Sequence, residues 1–161
     1  LLTNCVTSLL VSLFAISLYI TIRFDKKYAL FALLALFHDL LIVFGIFSWL
    51  GIILSVEVNS LFAVSLLTIA GYSVNDTVVI FDRIRENLKS KKEGYNETIQ
   101  LSVNESFRRT TFTSITTLIP LLSIIFFGSY SLFWFSIALS LGIIVGSYSS
   151  ILLAPSFLLK D

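Results

Sequence analysis

Asp76 stands in the run Gly71-Tyr72-Ser73-Val74-Asn75-Asp76-Thr77, inside an otherwise apolar stretch over residues 58–81. A charged side chain near the middle of a spanning helix costs roughly 2.5–3.5 kcal/mol on insertion scales, and such residues usually mark proton or ion paths. Asp76 is therefore the leading candidate for a working carboxylate. Arg109 opens the next apolar stretch, and Arg109, Thr113, Thr116, Thr117 and Pro120 recur every three or four residues, so they form one polar stripe on a helix. Asp76 lies six residues before Asp82, about 9 Å deep at the rise of a helix. Arg109 enters from the same side, so the two side chains are expected to approach each other or to share a water-filled cleft. Desolvation favours a neutral carboxyl and a nearby cation favours the carboxylate, a competition that suits a proton carrier. The structural alternative is a fixed Asp76–Arg109 pair that staples two helices. Thr113 joins the proton path on this reading, and Asn75 is either part of it or a buried amide that needs hydrogen-bond partners.

His38-Asp39 makes a second polar point near the middle of the apolar stretch over residues 28–50. Adjacent helical residues point about 100° apart, so the two are not expected to face one partner together. His titrates near physiological pH, which fits a proton relay. The alternative is a neutral His38 donating to a backbone or side-chain acceptor while Asp39 meets a neighbouring subunit. An aspartyl dyad of Asp39 and Asp76 needs two carboxylates sharing a proton, and a depth difference of about one helical turn or more argues against it. Gly142, Gly146 and Ser150 recur every four positions and offer a flat seam for helix packing.

These groups are carried by a chain that is 57% hydrophobic and 13% charged, which places it among all-α polytopic membrane proteins. Five segments satisfy the length for crossing a bilayer: residues 3–22, 28–50, 58–81, 110–127 and 132–159. Lys and Arg cluster at Arg23, Lys26 and Lys27 and again from Arg83 to Arg109, whereas the connections over 51–57 and 128–131 have none. The positive-inside rule then gives an outside start, a cytoplasmic loop over 82–109 and a cytoplasmic C-terminus at Lys160-Asp161. That loop mixes both signs, breaks at Gly94, and is read as two short interfacial helices. Trp49 and Trp134 fall near the outer ends as interfacial anchors. The whole of 1–161 is one helical domain.

Walker loops, Gly-x-Ser-x-Gly elbows and His-Glu-x-x-His motifs do not occur, so the chain is read as no enzyme, with no cofactor and no metal. The single cysteine, Cys5, excludes an internal disulfide, and a net charge of +1 gives no reason to expect nucleic acid. The chain holds no Met and opens on Leu1-Leu2-Thr3, so it is expected to be a fragment or a processed product.

Several runs carry a family resemblance: residues 31–39 ending in His38-Asp39, residues 71–87 through the Asn75-Asp76-Thr77 core to Glu86-Asn87, Arg109-Thr110-Thr111-Phe112-Thr113-Ser114, and residues 142–150. Together with Tyr19 to Phe24 they resemble the SecF family of bacterial protein-export membrane subunits, in the resistance-nodulation-division superfamily. The resemblance runs in order along nearly the whole chain. It implies an accessory subunit that works with SecD beside the SecYEG channel and uses the proton-motive force to draw exported preproteins across a membrane. It also implies that Asp76 and Arg109 belong to the proton path, with a less defined role for His38-Asp39. A bacterial plasma membrane is the implied bilayer, with a plastid membrane as the alternative. The family's first span and external domain have no counterpart before Leu1, and Gly128-Ser129 stands where the family has Gly-Gly. Two competing functions are a proton-driven small-molecule exporter of the same superfamily and a non-catalytic assembly subunit.

Overall fold

The computed structural model describes residues 2–56, 59–90 and 94–159. Lys91, Lys92, Glu57, Val58 and Lys160-Asp161, which enter the span and sidedness expectations, lie outside them. Among the described residues five helices are long and apolar enough to cross a membrane. They are α1 (Leu2–Arg23), α2 (Lys26–Leu54), α3 (Ser60–Ser90), α4 (Tyr95–Phe127) and α5 (Tyr130–Tyr148). The last continues as a π-turn over Ser149–Leu153 and a final helical turn, α6, over Ala154–Ser156.

The helices alternate in direction, and paired aromatics fix the two ends. At one end Phe24 after α1 meets Phe81 of α3 edge to face, and Phe31 of α2 stacks on Phe157 after α6. At the other, Phe47 of α2 stacks on Phe62 of α3 and takes Trp134 of α5 on its edge. Apart from the exposed Phe157, these rings belong to two apolar clusters, one around Ile20, Ala35, Ile80 and Phe81 and one around Val43, Phe47, Ile69 and Ile143. Helix α3 runs through both clusters and touches each of the other four spans. It is accordingly the most enclosed helix, while α1 is almost wholly exposed along its length.

Close approach of α5 to α3 depends on small residues. A Cβ on Gly142 would collide with the Ile69 side chain, and one on Gly146 would press on Ser73 Cβ at 3.3 Å. The seam of Gly142, Gly146 and Ser150 is thus turned inward onto α3 and belongs to the bundle itself.

Two expectations change. The described part of 82–109 does not form separate interfacial helices: α3 runs on to Ser90 and α4 starts at Tyr95, so both spans project past their apolar parts as an antiparallel helix pair. Gly94 is its break, and its N–H donates to the Glu97 carboxylate at 3.2 Å. Propagating an existing helix adds one hydrogen bond per residue fixed, whereas a new helix must nucleate, so continuation wins once the flanking spans are formed. Cross-links then hold the projection. Arg83 Nε donates to Glu105 at 2.6 Å, and Asn87 donates to Ser102 and Glu105 at 3.0 and 2.9 Å. The other expectation is refined: Trp134 is half-buried, and its ring packs on Phe47 and Phe133 at one end of the bundle.

Candidate functional site

Two buried carboxylates lie on neighbouring helices with opposite hydrogen-bond environments. Asp39 of α2 is 0% exposed, and its Oδ2 accepts from Ser73 Oγ of α3 at 2.5 Å and from Ser149 Oγ at the start of the π-turn at 2.6 Å. His38 Nδ1 lies 3.1 Å from the other oxygen, Oδ1. Through these contacts the Asp39 side chain ties α2, α3 and the end of α5 together. Around it the Thr77 and Ser150 hydroxyls are 2.8 Å apart, and Ser150 also approaches the Ser73 carbonyl at 3.3 Å. The expectation that Asp39 would meet a neighbouring subunit is overturned, because its whole side chain is enclosed by its own chain. His38 and Asp39 also do meet, since the imidazole on the half-exposed face reaches across to the carboxylate.

Asp76 is 4% exposed, and its Oδ2 is buried with no hydrogen-bond partner. An unpaired buried polar atom is rare and calls for a functional or solvent explanation. Arg109 is the charged group that acts on Asp76 through space, yet the two form no ion pair within 4 Å among the described residues. A fixed staple between α3 and α4 is therefore not present. Asp76 and Asp39 share no hydrogen bond either; Asp39 engages Ser73, one helical turn before Asp76, which matches the depth difference expected from sequence.

The polar stripe of α4 turns outward. Arg109, Thr113, Thr116, Thr117 and Pro120 are exposed, and the inward face is made by Ser102, Ser106, Thr110, Ser114 and Leu121. Thr113, Thr116 and Thr117 satisfy their hydroxyls on carbonyls of their own helix, which is how such side chains lie stably on an apolar surface. Asn75 likewise is not a buried amide: it faces an open groove of about 390 Å³ between α1 and α3, lined also by Ala15, Tyr19, Gly71 and Val78.

Sequence reasoning passed over three further polar links. Tyr72 donates to Ser114 at 3.0 Å and Ser114 meets Ser147 at 2.6 Å, joining α3, α4 and α5. Arg23 pairs with Asp82 at 2.6 Å where α1 and α3 end their apolar parts. In the hairpin, Glu105 is held below the ordinary carboxylate range by Asn87 and Arg83, while Arg83 is raised by its bonds to Glu105 and Glu86. No group of His, Cys, Asp and Glu suited to a metal ion occurs among the described residues.

Comparison with known proteins identifies the family. Residues 1–160 match the family model described as protein export membrane protein SecD/SecF, C-terminal. The protein translocase subunit SecF of Prochlorococcus marinus is 59% identical over 159 residues, covering 98% of this chain and 50% of that protein. SecF of Synechocystis is 47% identical over 152 residues, with 94% and 48% covered. The chain thus spans about half the length of the curated relatives it matches. Among solved structures, the crystal structure of SecDF from Thermus thermophilus, titled a translocon-associated membrane protein, superposes with a TM-score of 0.88 at 42% identity, covering 96% of this chain and 21% of that one.

Proposed function

Because the chain belongs to the SecD/SecF C-terminal family of protein export membrane proteins, we propose that it is the membrane engine of an accessory subunit of the Sec preprotein translocase. In this role it works with SecD, beside the SecYEG channel, and converts proton-motive force into movement of exported preproteins. The bilayer is a bacterial plasma membrane, with the ends carrying Arg23, Arg83 and Arg109 on the cytoplasmic side.

The observation that carries this reading is the unpartnered Oδ2 of Asp76 inside the most enclosed span. A carboxylate oxygen that already accepts two hydroxyl donors, as Asp39 Oδ2 does, must give up hydrogen bonds to take a proton there; the open oxygen of Asp76 need not. Arg109, on the exposed face of α4 and outside ion-pair distance of Asp76, is the cation that acts on it through space. His38, Asn75 and Thr113 stand outside this core: His38 is spent on Asp39, Asn75 faces a groove, and Thr113 bonds its own helix.

Export of a reporter into sealed vesicles, measured with the full-length protein and its partner subunit, tests the proposal. An imposed proton gradient should raise export beyond the ATP-driven level. Equal export with and without the gradient would leave only an assembly role. Orientation is tested separately: a thiol label at position 55 should react from outside and one at position 92 only from the cytoplasmic side.

A further inference from the structure

The end of α5 departs from α-helical geometry at a defined place. Its backbone enters the π-turn at Ser149, and the Ala154 N–H donates back five residues to the Ser149 carbonyl. A π-turn is equivalent to one extra residue in an α-helix, and it survives where surrounding contacts favour it. Here those contacts are visible. The hydroxyl of Ser149, the first residue of the turn, has one proton and two acceptors in range: Asp39 Oδ2 at 2.6 Å and the Gly146 carbonyl of its own helix at 3.2 Å. The shorter contact, outside the helix, prevails. Ser150, the next residue, is held by Thr77 at 2.8 Å and by the Ser73 carbonyl at 3.3 Å. Gly146 lets this happen, since its bare backbone lies against Ser73 and leaves Asp39 room to reach past it.

We propose that Asp39 is a positioning residue that holds the π-turn of Ser149–Leu153 in register and thereby sets the rotation of everything after it. If the turn relaxed to an α-helix, the following residues would swing by about 100° around the helix axis. That rotation would carry Phe157 off Phe31, on which it now stacks with ring centres 5.5 Å apart. It would also rebuild the groove of about 290 Å³ that Ile151, Leu152, Pro155 and Leu159 form against Ile99, Val103 and Asn104 of the α4 projection. The role of Asp39 is thus distinct from that proposed for Asp76: one carboxylate sets helix register, the other exchanges a proton.

The test uses an otherwise cysteine-free full-length protein, assembled with its partner in vesicles, bearing one of two cysteine pairs. Phe31→Cys with Phe157→Cys reads the segment beyond the π-turn. Phe47→Cys with Trp134→Cys reads the same two helices before it, where the rings are 6.3 Å apart. With a short bismaleimide, Asp39→Ala should lower cross-linking of the first pair severalfold and leave the second unchanged. Asp39→Asn retains an acceptor oxygen and should restore the first pair. Deleting Leu152 removes the extra residue, so it should also restore the first pair in the Asp39→Ala background. Loss at both pairs would mean that the bundle has simply loosened, and would overturn the proposal. So would unchanged cross-linking of the first pair in Asp39→Ala, or a loss that persists after the deletion.

Discussion

Asp39 and Asp76 are the same residue, buried to nearly the same degree on adjacent spans, yet their hydrogen-bond surroundings are opposite. Asp39 Oδ2 accepts from two serine hydroxyls, one on α3 and one at the π-turn, and the His38 ring nitrogen lies against its Oδ1. Asp76 has a buried oxygen with none and an Arg within influence but out of ion-pair contact. Burial alone therefore does not identify a functional acid in a membrane. What separates the two is whether the protein has already supplied the hydrogen bonds that a proton would displace.

The largest effect that tests this contrast is expected at Asp76. Asp76→Asn keeps size and polarity and removes ionisation, so gradient-driven export should fall to the level seen without a gradient. Membrane insertion, co-purification with the partner and the ATP-driven component should persist. Wild-type export by Asp76→Asn under a proton gradient would make the open oxygen incidental and erase the distinction.

At Asp39 the expected loss is in stability. Asp39→Ala strips the acceptor from the buried Ser73 and Ser149 hydroxyls, and an unsatisfied buried donor costs about 1–3 kcal/mol. Ser149 can turn back to the Gly146 carbonyl, so the total should fall near the lower end of two such penalties. Asp39→Asn should recover most of it. Thermal unfolding of the purified complex in detergent measures this, and equal midpoints for wild type and Asp39→Ala would show that the node ties nothing together.

Sequence pattern reached parts of this contrast and not others. A carboxylate in an apolar run is a one-dimensional signal, so Asp76 and the five spans were legible from local composition. The serine donors of Asp39 were not, because Ser73 and Ser149 lie 34 and 110 positions away. The π-turn has no local mark either; Ser149-Ser150-Ile151 reads as ordinary helix until Asp39 and Thr77 are placed beside it. In α4 the spacing of Arg109, Thr113 and Thr117 correctly puts them on one face, but periodicity cannot say whether that face points in or out. The helical projection past the membrane was hidden for another reason. Its sparse apolar residues carry little pattern, and its order comes from Arg83, Asn87, Ser102 and Glu105 meeting across the hairpin.

Arg109 gives a smaller, graded test of the Asp76 half. Arg109→Lys keeps the charge but replaces the planar fork by a point charge on a flexible stem. Since no bidentate pair is present to lose, gradient-driven export should be reduced, yet less completely than in Asp76→Asn. Arg109→Ala should reduce it further. If Arg109→Ala matched the wild type, the cation would be a surface charge of α4 and Asp76 would work without it.

The smallest effect is expected outside the apolar region, where a third carboxylate extends the comparison to an exposed setting. Glu105 accepts from Arg83 and Asn87 and is held below its ordinary value in the folded protein. A depressed folded value means that the clamp's contribution is fully present above the unfolded value of about 4.3 and is lost as pH falls through the folded one. Arg83 stays charged throughout, so the change belongs to Glu105. Because both groups are solvent-accessible, screening keeps the contribution small, and neutralising Glu105 should loosen the hairpin without unfolding the bundle. Spin labels at positions 89 and 97, on the facing ends of α3 and α4, should report a broader distance distribution once the pH has fallen through the depressed Glu105 value, which lies under about 4.3, than at pH 7. Glu105→Gln should show the broad distribution already at pH 7 and respond little to acid. A distribution that stays narrow in both cases would mean that helix continuity and packing order the projection, leaving its ion pairs without a measurable part.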